Sequence, residues 1–193
     1  MQKMREKSMQ NHSNKLFCLI GPSSSGKDAI KFASGYPYVV SYRTRKKRVG
    51  EIEGKDGYFI DVEGFHEIES ELIAKTYYCG NYYGVTKKEL DRLSSSHMIY
   101  VIDWEGYQYM KAMISKEDLP IDMVSIYINI NPNDLKERMI KQNRTETEIE
   151  ERLQQLDQDI SVKSKCKYII NNKTTLENAV KQLNKIIQLE ELQ

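Results

Sequence analysis

The sequence predicts an α/β fold in which a parallel sheet is flanked by helices. Apolar runs bounded by turn residues alternate with stretches of helical periodicity, which is the pattern of strands connected by helices. The first run leads into a glycine-rich turn, "GPSSSGKD". A segment rich in Tyr and Gly, residues 41–94, interrupts the alternation and predicts a small inserted lobe of short antiparallel strands.

The strands of the predicted sheet come from short apolar runs. These runs are Leu16–Ile20, Tyr38–Val40, Met98–Ile102, Val124–Ile130 and Tyr168–Ile170. Near the end of the chain, Thr174 and Glu177 have the spacing of a capping box and predict the start of the last helix. We expect residues 15–40 and 95–193 to form the core of a single domain.

The segment "IKQNRTETEIEERLQQL" is highly charged and predicts helices on both sides of a polar break near Asn143. A charged helical segment of this kind could close over a ligand, so residues 138–152 are the predicted lid. Residues 1–14 are polar and lack an apolar segment. We therefore expect a flexible N-terminus there.

Composition narrows the class of protein. The chain has 193 residues, of which 39% are hydrophobic and 30% are charged, and these values are typical of one globular domain. Its formal charge of +1 disfavours a strongly basic nucleic-acid binder. Its 3 cysteines are odd in number and have no CxxC spacing, which favours a reducing compartment. No run approaches the length of a membrane span. We expect a cytoplasmic monomer or homodimer with neither nucleic acid nor membrane as a partner.

The glycine-rich turn has the residues of a phosphate-binding loop. It follows a predicted strand and precedes a predicted helix, so its backbone N–H groups can surround phosphate oxygens. The Lys27 ammonium would neutralise the outer phosphates. The candidate residues of this site are Gly21, Ser23, Ser24, Ser25, Gly26, Lys27 and Asp28.

A second cationic segment, "SYRTRKKRVGE", lies within an almost neutral chain. Arginine can grip a phosphate with two parallel hydrogen bonds, so Arg45 and Arg48 could hold a dianionic acceptor. A solvated basic loop or a nucleic-acid patch would have the same composition.

The motifs together resemble the guanylate kinase family of P-loop nucleoside monophosphate kinases. "GPSSSGKD" is similar to the phosphate loop of that family, and "RTRKKRVGEIEGKD" is similar to its Thr-Arg-x-x-Arg-x-Gly-Glu segment. "GNYYG", "IDWEG", "LKERM", "TETEIEERL" and "YIINN" then follow in the family's order. The resemblance extends over about residues 16–190.

The resemblance implies phosphoryl transfer from ATP, with Mg²⁺, to a nucleoside monophosphate. GMP is the leading candidate for this acceptor. The resemblance also implies a role for each matched position. The acceptor would contact Ser41, Arg45, Arg48, Glu51, Tyr58, Tyr83 and Asp103. The transferring phosphoryl group would contact Lys27, Arg138, Arg144 and Arg152, and the donor adenine would lie near Asn171. The lid is one residue shorter than in the family, so Gln142 is an alternative to Arg144, which we favour for its charge.

Asp28 departs from the family pattern, because phosphate loops normally carry Ser or Thr after the lysine to hold Mg²⁺. A carboxylate at the start of a helix also interacts favourably with the helix dipole, so Asp28 could be a structural residue. Val101, however, lies where the family has an acidic residue. Our hypothesis is that Asp28 binds Mg²⁺ in place of both missing groups.

The acceptor site departs from the family as well. Ala74 and Val85 lie where the family has residues that contact guanine, and Gly57 lies where it has a phosphate-holding Tyr. Tyr58 is adjacent and could replace that Tyr if the loop shifts by one residue. Two alternatives therefore stay open: a ribose 1,5-bisphosphate phosphokinase and a non-catalytic binding module.

Overall fold

The computed structural model describes residues 14–193, so the predicted flexible N-terminus lies outside the described residues except for Asn14. The strands are β1 (Lys15–Ile20), β2 (Tyr42–Arg43), β3 (Tyr58–Phe59), β4 (Leu72–Tyr78), β5 (Asn81–Thr86), β6 (Met98–Val101), β7 (Asp122–Asn129) and β8 (Tyr168–Asn171). They form two sheets, with orders β6-β1-β7-β8 and β3-β2-β5-β4.

Helices connect these strands. The α-helices are α1 (Lys27–Ala33), α2 (Val62–Glu67), α3 (Trp104–Lys116), α4 (Pro132–Lys141), α5 (Glu146–Gln154), α6 (Leu156–Ser161) and α7 (Leu176–Glu191). Short 3-10 helices span Glu69–Glu71, Lys87–Ser94 and Val162–Lys165. Within residues 14–193, no helix has both the length and the apolar character needed to cross a membrane.

The first sheet is parallel throughout and apolar on both faces, as the sequence predicts. Leu16, Cys18 and Ile20 of β1 pack into one core cluster with residues of α3. Phe17 and Leu19 point to the opposite face, where α1 and α7 cover them. Burial on both faces explains why β1 is an uninterrupted apolar run.

Two local predictions about this core are wrong. Tyr38–Val40 does not form a strand; Tyr38 makes a single parallel bridge to Ile99 at the sheet edge. The N-cap of α7 is Thr175, whose side chain accepts a hydrogen bond from the Asn178 backbone N–H, whereas Thr174 contacts the Asn178 side chain. The cap lies one residue later because Thr175 has the extended backbone of an N-cap and its side chain accepts from the helix backbone.

The second sheet lies entirely within the segment predicted to form the inserted lobe. β5 pairs antiparallel with both β2 and β4, but β2 and β3 pair in parallel, which the sequence did not predict. Phe65 of α2 is fully buried and stacks on Tyr82. This stacking packs α2 against β5.

The charged segment folds as predicted, with α4 and α5 on either side of Asn143, which has a left-handed φ of 54°. Thr145 and Glu148 form a capping box at the start of α5. Ile130, Leu135, Met139 and Ile149 form a small separate core beneath these helices. The predicted lid therefore packs in a cluster of its own, separate from the clusters on the two faces of the first sheet.

Candidate active site

The phosphate-loop residues form a tight turn between β1 and α1. Gly26 has a left-handed φ of 96°, and a Cβ there would lie 2.4 Å from the Asn172 side-chain nitrogen. Asn172 donates a 2.7 Å hydrogen bond to the Ser25 carbonyl oxygen and so fastens the loop to the end of β8. Only glycine fits where the loop approaches Asn172 this closely.

Lys27 lies at the centre of the loop. Its Nζ donates hydrogen bonds of 2.6 Å to the carbonyl oxygens of Gly21 and Pro22. Burial, only partly opposed by Asp159 and Asp28, lowers the pKa of Lys27 to about 8. An anion close to this ammonium would offset the cost of burying it.

Residues from the loop, the lobe and the lid face a common cavity. The predicted site residues in its wall are Gly21, Ser23, Ser24, Lys27, Asp28, Ser41, Arg45, Arg48, Glu51, Tyr83, Asp103, Arg144 and Arg152. Most of the sequence-predicted site is therefore brought together in three dimensions. Gly26 faces an adjoining cavity next to the same loop.

Arg45 and Arg48 form the cationic side of the cavity. The Arg45 guanidinium pairs with both carboxylate oxygens of Glu51, with 2.7 Å between Nη1 and Oε2. Glu51 also accepts a 2.8 Å hydrogen bond from the Arg48 backbone N–H. Burial and the nearby Arg45 lower the pKa of the Arg48 side chain. Because Arg48 contacts Glu51 through its backbone, its guanidinium is left to face the cavity, where its donors can bind an anion.

The other side of the cavity is more polar than charged. Ser41 is buried, and its hydroxyl accepts a 2.8 Å hydrogen bond from Arg43. Asp103 caps α3 by accepting a 2.7 Å hydrogen bond from the Gly106 N–H. Burial raises the pKa of Asp103, although hydrogen bonds from Gly106 and Thr76 act in the opposite direction. Asp103 and Thr76 can contact the polar edge of a flat ligand there.

The lid contributes Arg144 and Arg152 to the cavity wall. Burial, followed by repulsion from Arg48 and Arg152, lowers the pKa of Arg144 to about 10. The Arg152 guanidinium lies 4.4 Å from the centroid of the Tyr78 ring. Gln142 of the lid accepts hydrogen bonds from Ser24 Oγ at 3.0 Å and from Arg144 Nε at 3.3 Å, which links lid and loop.

Arg138 does not line the cavity but lies against the phosphate loop. Its Nη1 is 3.5 Å from the position that a Cβ on Gly26 would occupy. Ser25 is fully buried behind the loop. These two residues therefore lie at the back of the loop rather than in the cavity.

Asp28 faces the cavity, and its Oδ1 accepts a 2.9 Å hydrogen bond from Lys31 Nζ. Burial raises the pKa of Asp28, but Lys31, Lys27 and Arg43 outweigh this effect and lower it. The carboxylate is therefore ionised at neutral pH. In the described part of the chain, no group of three or more His, Cys, Asp and Glu side chains could hold a metal ion.

Two further predicted residues lie outside the cavity wall. The Tyr58 hydroxyl donates to Glu89 Oε1 at 3.0 Å, and its ring packs on Tyr42. The Asn171 side chain is exposed and accepts a 2.7 Å hydrogen bond from Asn129. The Tyr58 side chain therefore points away from the space that Arg45 and Arg48 face.

Sequence reasoning missed several residues of the site. These are Lys31, Arg43, Thr76, Tyr78 and Asp159 in the cavity wall and Asn172 behind the loop. Arg43 belongs to the basic run, and Asn172 directly follows Asn171, so the sequence marked both neighbourhoods. Which residues of these two segments face the site depends on the direction of each side chain, and that direction is set by tertiary packing.

Comparison with known proteins agrees with this geometry. The family model described as guanylate kinase matches residues 13–190. This chain belongs to the guanylate kinase family. The resemblance seen in the sequence motifs is thereby confirmed over nearly the whole chain.

Individual members of the guanylate kinase family match most of the chain. A guanylate kinase of Francisella tularensis subsp. holarctica is 30% identical over 173 residues, covering 83% of this chain and 89% of the relative. One from Mycoplasma mobile is 30% identical over 192 residues, covering 93% and 94%. The crystal structure of guanylate kinase from Anaplasma phagocytophilum has a TM-score of 0.74 and 29% identity, with coverage of 96% and 90%.

The site nevertheless differs from the family pattern at the acceptor side. Ala74 of β4 is opposite Val85 of β5, and both are buried in the core. Position 74 therefore offers no polar group to a ligand. Thr76, two residues further along the same strand face, is the polar side chain of β4 in the cavity wall.

Proposed function

We propose that this protein transfers the terminal phosphoryl group of ATP to GMP, forming ADP and GDP. The observation that carries the proposal is the shared cavity, in which the phosphate loop, the lobe arginines and the lid arginines face the same space. Phosphoryl transfer to a nucleoside monophosphate requires the phosphates of donor and acceptor to be aligned within a cationic environment. The membership of the guanylate kinase family supports the same reaction.

Lys27 and the backbone N–H groups of the loop would hold the phosphates of ATP. The loop precedes α1, so its N–H groups and the helix dipole act on the same anion. Lys27 would exchange its hydrogen bonds to the Gly21 and Pro22 carbonyl oxygens for bonds to phosphate oxygens. Asn171, at the end of β8, would lie near the adenine.

Arg45, Arg48 and Tyr83 would hold the phosphate of GMP. Glu51 orients Arg45 through two hydrogen bonds and positions the Arg48 backbone through a third, so this carboxylate supports the site from behind. A bidentate arginine is suited to a phosphate dianion. Tyr58, bonded to Glu89, has no part in this assignment.

Ser41, Asp103 and Thr76 would face the guanine base. Guanine presents N–H donors next to a carbonyl oxygen, which a carboxylate and a hydroxyl can match. Asp103 supplies the carboxylate that Ala74 cannot. We expect discrimination between bases to depend mainly on Asp103.

Arg144 and Arg152 would neutralise charge on the transferring phosphoryl group, with Arg138 stabilising the loop side. Charge neutralisation and exclusion of water dominate this chemistry, and no covalent intermediate is needed. We also propose residues 138–152 as the lid, residues 41–94 as the acceptor-binding lobe and residues 15–40 with 95–193 as the core. Cytoplasmic location remains a prediction.

Mg²⁺ fits the donor side of the site. This ion commonly takes one or two carboxylates together with substrate phosphates, and Asp28 is an ionised carboxylate at the phosphate loop. When bound, Mg²⁺ would neutralise phosphate charge. We propose Asp28 as its protein ligand, directly or through water. If Asp28→Ser keeps full activity with the wild-type dependence on Mg²⁺ concentration, Asp28 is not that ligand.

ADP formation from ATP and Mg²⁺ in the presence of different acceptors tests the proposal. The panel is GMP, dGMP, AMP, CMP, UMP, dTMP and ribose 1,5-bisphosphate, with the Lys27→Ala protein as the blank. We expect selective turnover of GMP and dGMP. Selective turnover of ribose 1,5-bisphosphate would replace GMP by a phosphorylated sugar, and no turnover with any acceptor would favour a binding module.

A further inference from the structure

Arg43 occupies a space that exists because residue 57 is glycine. A Cβ on Gly57 would lie 2.4 Å from Arg43 Nε, 2.8 Å from Cδ and 2.9 Å from Cζ. Gly57 does not have a left-handed φ, so its backbone conformation does not require glycine. The absence of a side chain at position 57 therefore makes room for the guanidinium of Arg43.

The Arg43 guanidinium has unused hydrogen-bonding capacity inside the cavity wall. Its Nη2 donates to Ser41 Oγ at 2.8 Å, while its Nε is buried and has no partner. Among the ion pairs within residues 14–193, none involves Arg43. A buried guanidinium nitrogen without a hydrogen-bond partner is costly unless a ligand supplies the missing partner.

The neighbours of Arg43 indicate what that ligand is. Arg43 and Arg45 both lie over the Phe59 ring, with their Cζ atoms 5.6 and 5.3 Å from its centroid. Arg43 is directly opposite Tyr83 in the pairing of β2 with β5. Arg43 thus lies over the same ring as Arg45 and is the cross-strand partner of Tyr83, and both of these residues are proposed to hold the acceptor phosphate.

Electrostatics favour the same conclusion. Burial and then the charge of Arg45 lower the pKa of Arg43, so these two cations, which lie over the same ring, repel each other. A dianion in contact with both guanidinium groups would attract each of them and outweigh this repulsion. A phosphate monoester is a dianion at neutral pH and accepts several hydrogen bonds.

We propose that Arg43 is a third arginine of the acceptor-phosphate site and that Gly57 is the residue that admits it. This inference rests on the proposed function. Arg43 takes the space next to Gly57, whereas the adjacent Tyr58 hydroxyl is bonded to Glu89. Ser41 orients the guanidinium through Nη2, which leaves its other donors for phosphate oxygens.

Steady-state kinetics of Arg43→Met test the proposal. We expect KM for GMP to rise about ten- to a hundredfold, the effect of losing a charge-assisted hydrogen bond, with KM for ATP almost unchanged. The loss should be equal for GMP, dGMP and IMP, since all three carry the same phosphate. Lys46→Met is the matched control, because it removes one exposed cation of the same basic run and should leave all constants unchanged.

Gly57→Ala tests the position of the guanidinium rather than its charge. The added Cβ would displace Arg43, so KM for GMP should rise although no charge is lost. In the double variant Arg43→Thr with Gly57→Tyr, a tyrosine hydroxyl replaces the guanidinium as donor, and much of the lost affinity should return. Thermal melting and ATP binding of each variant identify any that fail to fold.

The possible outcomes separate this inference from the proposed function. An active wild type with an unchanged Arg43→Met protein would overturn the role of Arg43 alone. A loss that differs between GMP and IMP would place Arg43 at the base and overturn the phosphate assignment. If the wild type phosphorylates no nucleotide, the proposed function fails; calorimetric titration of GMP into both proteins then decides whether Arg43 holds its phosphate.

Discussion

Two clusters of charged side chains in this protein differ in how their charges are balanced. At one end of the first sheet, Glu190 is 2% exposed and accepts hydrogen bonds from Lys15 at 2.9 Å and Tyr168 at 2.7 Å. Lys167 pairs with the same carboxylate. This Glu190 cluster joins α7 to β1 and β8 with charges that satisfy one another.

The cavity at the other end of the sheet has an excess of cations. Lys27, Arg43 and Arg48 face it without a carboxylate partner within ion-pair distance among the described residues. The comparison indicates that balanced buried charge stabilises the fold, whereas unbalanced charge is retained for an anionic ligand. Removing charges from the two clusters should therefore have opposite consequences for stability and activity.

The largest effect should follow from Lys27→Ala. Loss of the ammonium from the phosphate loop should lower kcat at least about a hundredfold, because charge on the transferring group is no longer neutralised. The melting temperature should change little, because the loss of the Lys27 hydrogen bonds to two loop carbonyl oxygens is offset by removal of the desolvation cost of its ammonium. Lys111→Ala, on the exposed face of α3, is the control. Normal turnover by Lys27→Ala would refute its assigned role.

Glu190→Gln should have the reverse profile. Burial would raise the pKa of Glu190, but hydrogen bonds from Lys167, Tyr168 and Lys15 lower it to about 2. The variant should lose roughly 2 to 3 kcal/mol of unfolding free energy in urea, with kcat per folded molecule unchanged. Glu177→Gln breaks an exposed ion pair with Lys181 and is the matched control, because solvent screens this pair and its loss should leave stability almost unchanged.

The pH dependence of stability sharpens this prediction. Because the folded pKa of Glu190 lies below the unfolded value of 4.5, its contribution is complete above pH 4.5 and is lost as the pH falls towards about 2. The difference in stability between wild type and Glu190→Gln should therefore shrink over this range. A constant difference would mean that Glu190 acts through packing rather than charge.

The smallest predicted effect is on ATP binding at alkaline pH. The pKa of Lys27 in the free protein is about 8, and bound phosphates favour its charged form. Above pH 8, binding must include uptake of a proton, so Kd for ATP should rise about tenfold per pH unit. Calorimetry in buffers of different ionisation enthalpy would detect this proton. Lys27→Met should show neither the uptake nor this slope.

The sequence predicted those features of the site that depend on local order along the chain. The phosphate loop could be recognised because a strand, a glycine-rich turn and a helix are contiguous. Arg45, Arg48 and Glu51 could be assigned because they lie within one short segment. The order of the family's motifs then predicted that Asp103, Arg144 and Arg152 lie at the same site, and all three line the cavity in the structure.

Features that depend on side-chain direction were not predictable in this way. Tyr58 was predicted to face the acceptor, but its hydroxyl is bonded to Glu89, and Arg43, which was not predicted, fills the space next to Gly57. The bond from Asn172 to Ser25 was likewise not predicted, although Asn172 directly follows the predicted residue Asn171. These outcomes depend on contacts between residues far apart in the chain.

The central claim is that the cationic cavity holds the phosphates of a donor and an acceptor at the same time. Calorimetric titration with a bisubstrate ligand, adenosine and guanosine joined through five phosphates, tests it most directly. We predict one ligand per chain, bound far more tightly than ATP or GMP alone, and a strong loss of affinity in Arg48→Met. Binding no tighter than that of ATP alone would contradict the claim, because it would mean that the two sites are not occupied together.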